Sequence, residues 1–186
     1  MKIGILPVGQ AQPDVLLDLA RNLPKIFPDT VCSVIKKPLP VPTEAFLKRR
    51  NQYNSSIILK ELEVYALGVR RFDRFLGVVD VDIFASGLNY VFGEATMPGK
   101  VGLISLWRLK PSFYGETAGA DVYSQRVLKE AVHEVGHTLG LQHCTRRSCV
   151  MHFSNSIFDT DRKQTLFCEN DYLLATLAIN KLGQAP

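Results

Sequence analysis

Two histidines four residues apart, then a glycine and a third histidine, set the problem this chain must solve: His133, His137, Gly140 and His143. They close an amphipathic run in which Val127, Leu128, Ala131, Val132, Val135 and Leu139 recur at helical spacing. Four residues on a helix turn through about 400°, so His133 and His137 project from one face, a turn apart. Two imidazoles so placed can share one Zn²⁺ at about 2.0–2.1 Å. Glu134 then leans toward the metal's open side without being a ligand. Gly140 accepts the left-handed conformation that ends a helix sharply. The chain turns back, presents His143 as third ligand, and leaves a fourth position for water. A helix with two core histidines would explain His133 and His137 but not Gly140 or His143. From average residue usage, the full pattern arises by chance in roughly one chain of this size in 100,000.

Upstream, strands and helices alternate. Lys2–Val8 predicts a strand ended by Gly9. Pro13-Asp14 opens a helix over 15–23 that Pro24 stops, and β-branched residues predict a second strand over 30–35. Three prolines within 36–42 demand an extended connection. Thr43-Glu44 starts a short helical piece, and 55–69 is a stronger helix. A third strand is expected over 76–84, with Asp80 and Asp82 facing outward. A hairpin comes next, 89–95 with 100–109 across Met97-Pro98-Gly99, and then a loop over 110–120. Beyond the histidine helix, 141–168 reads as loop-rich and 171–182 as a closing amphipathic helix. This order predicts an α/β sandwich with a mixed sheet.

The chain has 186 residues, 46% hydrophobic and 22% charged, which excludes fibrous, low-complexity and disordered classes. One domain is expected over 1–186, with an N-terminal part to about residue 140 and a C-terminal part from about 141. The first nine residues lack a secretory apolar core, and no run approaches the roughly 18 apolar residues of a membrane helix. A soluble protein of the reducing cytoplasm is expected, where clustered cysteines more often bind metal than pair. Cys144, Cys149 and Cys168 fall within 25 residues, whereas Cys32 reads as a lone core thiol. The net charge of +4 arises partly from short, scattered basic runs, Lys48-Arg49-Arg50, Arg70-Arg71 and Arg146-Arg147. They read as a solvated face, so neither nucleic acid nor membrane is an expected partner, and a monomer is expected.

HExxHxxGxxH is the zinc signature of the metzincin metallopeptidases, and the residues after it resemble the archaemetzincins. In that family the signature continues as His-Cys, then Cys-x-Met, then after a spacer Cys-x-x-Cys. Here His143-Cys144 and Cys149-Val150-Met151 match at every motif position of 133–151. The segment 89–95, Asn-Tyr-Val-Phe-Gly-Glu-Ala, is also similar to the family. The sequence departs after Met151: the spacer to Cys168 is 16 residues, one shorter, and Asp171 stands where the last cysteine is expected.

The resemblance implies a metzincin-like fold: a three-layer upper part with a twisted mixed sheet, a zinc-binding active-site helix, and a small irregular C-terminal part ending in a helix. It implies a catalytic zinc on His133, His137 and His143, Glu134 as general base, and Met151 as an apolar floor beneath the imidazoles. Peptide bonds would be hydrolysed by a zinc-bound water that Glu134 activates. A second, structural zinc would use Cys144, Cys149 and Cys168. Its fourth ligand is open between Asp171, which can ligate zinc, His152, Cys32 and none. The same motif would serve a zinc hydrolase of non-peptide amides or esters, while a zinc-stabilised binding protein would not need Glu134. Residues 101–107 are expected either to form the sheet edge that takes substrate as an added strand or to be an ordinary inner strand. A chain that begins directly with a strand leaves no room for an inhibitory propeptide, so 110–120 is expected as a cover for the cleft.

Overall fold

The computed structural model describes residues 1–117 and 119–183. Its main sheet has five strands. In chain order, β1 (Lys2–Val8), the helix α1 (Pro13–Asn22) and β2 (Val31–Val34) come first. A small hairpin, β3 (Phe46–Leu47) and β4 (Gln52–Asn54), leads into α2 (Ser55–Gly68). Then come β5 (Arg74–Val79), β6 (Ile83–Phe84), β7 (Gly93–Ala95) and β8 (Val101–Ser105). The long helix α3 (Ala120–Thr138), the short α4 (Ile157–Arg162) and α5 (Glu169–Leu182) complete the chain.

The main sheet runs in the order β2-β1-β5-β8-β7: β1, β2, β5 and β8 are parallel, and β7 returns antiparallel to β8. The period of two along each strand sends alternate residues to opposite faces. Ile3, Ile5, Leu76, Val78 and Ile104 meet α1 and α3 on one side. Leu6, Val8, Phe75, Val79 and Leu103 meet α2 on the other. The sheet is thus covered on both faces, which is why its strands read as continuous apolar runs. On the α2 face Gly77 allows close approach: a Cβ there would lie 2.5 Å from Leu62 Cδ1.

Three expectations change. The strand over 76–84 is two strands in two sheets: β5 in the main sheet and β6 paired with β4 in a three-stranded sheet. The break falls at Asp80 and Asp82, which do not face water freely. Asp80 accepts from Lys110 Nζ at 2.6 Å, and Asp82 is bidentate with Arg108 at 2.6 and 2.8 Å. Of the two readings of 101–107, the inner strand is the one found: β8 lies between β5 and β7, and Trp107 already belongs to a 3₁₀ turn. The edge is β7. Finally, the stretch read as loop-rich contains α4, started by a capping box between Ser156 and Asp159.

α3 crosses beneath the β7–β8 edge. Gly102 of β8 faces it, where a Cβ would sit 3.2 Å from that of Glu134. Polar pairs tie α3 to α4: Arg126 is bidentate with Asp161 at 2.8 Å, and Lys129 Nζ donates to the carbonyls of Thr160 and Asp161. Deeper still, Lys163 Nζ lies 2.9 Å from Glu130 Oε1, and both residues are buried.

Candidate active site and thiol cluster

α3 ends as the sequence requires. Gly140 has φ +92°, its N–H donates to His137 O at 2.9 Å, and Leu141 N–H reaches back to Gly136 O at 3.2 Å. That pair of bonds is the Schellman closure, and it returns the chain so that His143 faces the helix. The ring nitrogens of His133, His137 and His143 lie within 4.8 Å of one another.

The outer nitrogens of the two helical histidines are fixed by backbone. His133 Nδ1 is 2.8 Å from Val150 O, and His137 Nδ1 is 2.7 Å from Leu141 O. A carbonyl only accepts, so each Nδ1 carries the proton and each Nε2 presents a lone pair. Those two Nε2 atoms face each other at 3.0 Å. Two lone pairs that close repel unless a cation lies between them; tetrahedral zinc ligands stand about 3.3 Å apart. Burial pushes His133 well below the ordinary imidazole range, with the Lys163 charge adding to it, and burial also lowers His137 and His143. All three are thereby kept in the neutral form that binds metal.

Glu134 is buried, and its Oε2 has no hydrogen-bond partner among the described residues. Burial first, then the charge of Glu130, raises its carboxyl well above the usual range, with Lys163 opposing. Two glycines make room here. A Cβ at Gly93 would fall 2.5 Å from Glu134 Oε1, and one at Gly136 would fall 2.5 Å from Met151 Sδ. Met151 is wholly buried against α3 at the turn that carries the histidines. Spacing alone marks neither glycine; their signal is the contact each permits.

A cleft of about 250 Å³ opens above these groups, walled by Ala85, Leu88, Val91, Met97 and Phe153. The Phe153 ring stands 4.9 Å from that of His143. No described residue of 110–120 lines this cleft. Tyr114 instead bonds the Arg108 carbonyl and Glu116 pairs with Arg126, so the expected cover is replaced by the 85–91 segment and Phe153. Residue 118, within the expected cover, lies outside the described residues. The 85–91 segment is braced by Arg50, which donates to the Leu88 and Asn89 carbonyls, and by Tyr90, whose hydroxyl donates to Asn155 O at 2.9 Å. A larger cavity, about 650 Å³, lies between Met1, Arg70, Arg71 and the end of α5, and no histidine lines it.

The thiols gather just beyond His143. The Sγ atoms of Cys144, Cys149 and Cys168 and a carboxylate oxygen of Asp171 lie within 4.8 Å of one another. Cys144 and Cys168 Sγ are 3.8 Å apart, the edge of a tetrahedron with zinc–sulfur bonds of about 2.3 Å and far beyond a disulfide. Asp171 Oδ2 is 3.0 Å from Cys149 Sγ and 3.3 Å from Cys168 Sγ. Burial, with the Asp171 carboxylate, pushes the Cys149 thiol up; burial also raises Cys144. His152 is not in the group, and its Nδ1 donates to the Cys144 carbonyl at 2.9 Å. Cys32 sits on β2, packed against the core and pushed up to about 12 by burial.

Residues 39–174 match the family model of peptidase family M54. The chain belongs to peptidase family M54, the archaemetzincins. It is 45% identical over 169 residues to the archaemetzincin of Methanocaldococcus jannaschii, covering 91% of this chain and 89% of that one. To the archaemetzincin of Pyrococcus furiosus it is 40% identical over 171 residues, covering 90% and 88%. The crystal structure of archaemetzincin from Archaeoglobus fulgidus, complexed with malonate, superposes with a TM-score of 0.80 at 40% identity, over 94% of this chain and 99% of that one. That from Methanopyrus kandleri gives 0.84 at 32% identity, over 97% and 96%. The fold is therefore the metzincin-like one expected, and the chain is a zinc metallopeptidase that acts on peptides or proteins. No helix among the described residues is long and apolar enough to cross a membrane.

Proposed function

We propose that residues 1–186 form a single catalytic domain that hydrolyses peptide bonds at a zinc held by His133, His137 and His143. One observation carries this most: two backbone-fixed imidazoles turn unprotonated Nε2 atoms toward each other at 3.0 Å, beside the buried, unpartnered oxygen of Glu134. Zinc held there supplies a Lewis acid that brings the pKa of its water toward 7 and polarises a scissile carbonyl.

Glu134 moves the proton. Its carboxylate takes one from the attacking water and hands it to the departing nitrogen. Val150 and Leu141 carbonyls keep the imidazoles in one tautomer and orientation. Met151 and Phe153 close the apolar surroundings.

The substrate pairs with β7. Thr96 N–H donates to Val101 O and Ser105 N–H to Phe92 O, so alternation turns the backbone of Phe92, Glu94 and Thr96 toward β8. The N–H and C=O groups of Gly93 and Ala95 face outward and serve an extended peptide running antiparallel. A second, structural zinc is held by Cys144, Cys149, Cys168 and Asp171, supported by the 3.8 Å sulfur separation. Its free thiols suit a reducing compartment, and we place the enzyme in the cytoplasm.

The test is a mixed peptide library incubated with zinc-loaded protein and with Glu134→Ala, read by mass spectrometry. Products from wild type alone are expected. The same products from both proteins, or none from either, would overturn the assignment.

A further inference from the structure

α5 is held to the molecule by one narrow row. Its buried residues are Asp171, Ala175 and Ile179, spaced four apart. About 200° around the helix from them stand Leu173 and Leu177, 59% and 49% exposed, with Tyr172 and Leu174 beside them also about half exposed. A surface helix normally shows water its polar side, and contiguous exposed apolar groups mark a contact. The outermost row runs Glu169, Leu173, Leu177, Lys181: an acid at one end, a base at the other, leucines between. Among the described residues neither charge has an ion-pair partner.

This order is its own complement. When a second copy is laid antiparallel, with the two-fold axis between Leu173 and Leu177, each Leu173 meets the other copy's Leu177. Glu169 then meets Lys181 at both ends, and the two helix dipoles oppose favourably. A parallel arrangement would set like charges together. We infer that two copies of this chain pair through α5, antiparallel about a two-fold axis, so that the enzyme is a dimer rather than the expected monomer. The contact lies on the side of α5 away from Asp171, so it stands or falls independently of the proposed chemistry.

Sedimentation equilibrium of the full chain tests it, from about 1 to 200 μM, with helical content checked by circular dichroism. Wild type is expected to convert from monomer to dimer across this range. Leu177→Lys, at an exposed position that costs little folding stability, is expected to stay monomeric. Glu169→Lys and Lys181→Glu each replace two attractions with two repulsions and should weaken pairing by about tenfold. Combined, they should restore it to within about threefold, because the swapped charges again meet opposites. A wild type that is monomeric throughout would overturn the proposal and leave the face to a different partner. A dimer indifferent to Leu177→Lys, or a double reversal no better than the single ones, would overturn it equally.

Discussion

Gly136→Ala sets two effects of similar size against each other. In a helix, alanine is favoured over glycine by up to about 1 kcal/mol, and Gly136 is helical, in the last turn of α3. The new methyl would fall 2.5 Å from Met151 Sδ and 3.2 Å from its Cε, while Phe167, at 3.5 Å, is an ordinary contact. Met151 is fully buried and has no open space to retreat into, so overpacking should cost about 1–3 kcal/mol. The expected net result is a loss of up to about 2 kcal/mol in urea unfolding of the metal-free protein. The same substitution in a Met151→Ala background should change sign. Truncating Met151 alone costs about 2–5 kcal/mol, but the cavity it leaves accepts the methyl, and the helical preference of up to about 1 kcal/mol then shows. The coupling between the two sites should equal the overpacking term, about 1–3 kcal/mol. If Gly136→Ala stabilises wild type, or shifts both backgrounds alike, the contact between sulfur and helix is not what excludes a side chain at this position.

Gly93→Ala places a methyl 2.5 Å from Glu134 Oε1, and displacing the base should lower kcat by about 100-fold in steady-state peptide assays while zinc content is unchanged. Glu134→Gln should stabilise the metal-free chain increasingly from pH 4 to 8. The folded pKa of Glu134 is raised, so the stability its protonated form contributes is full below about 4.5 and lost as pH rises through the folded value. A Tm difference independent of pH would contradict this. Lys163→Met leaves Glu130 buried without its cation and should cost about 3–5 kcal/mol in urea unfolding, part of it recovered by adding Glu130→Gln. Elemental analysis should find two zinc ions per wild-type chain and one in each of Cys149→Ala and His137→Ala; a single ion in wild type would remove the sulfur site.

Much of this was readable because the relevant forces are local. Helical spacing marked α2, α3 and α5, and the left-handed turn at Gly140 comes from residue type alone. Asp171 was readable as a metal-ligand candidate because it stands where the resemblance to the archaemetzincins expects the last cysteine of Cys-x-x-Cys, and a carboxylate can ligate zinc. What escaped depends on partners distant in sequence. Asp80 and Asp82 look like outward residues of one strand until Lys110 and Arg108, 30 and 26 residues on, are folded against them. The hairpin of β7 with β8 is legible, but that β8 is inner and β7 the edge shows only once β5 is paired with the other side of β8. Glu130 and Lys163 look like solvated charges, since nothing local shows that each buries the other. α4 could have been found, because Ser156 and Asp159 have capping spacing, but its 6 residues are too few for periodicity to show.

The brevity of β7 bears on which proteins such an enzyme would spare. Three residues long, it turns only two sets of backbone groups outward, Gly93 and Ala95. In the proposed pairing a peptide would gain on the order of 1 kcal/mol from each hydrogen bond made there, about 4 kcal/mol in all. A segment inside a folded protein must first leave its own structure, which costs about 5–15 kcal/mol where opening is global. The edge is too short to pull chains out of native folds and long enough to hold those already loose. Discrimination between intact and unravelled polypeptides would then reside in the length of one strand, with no lid or inhibitory segment required.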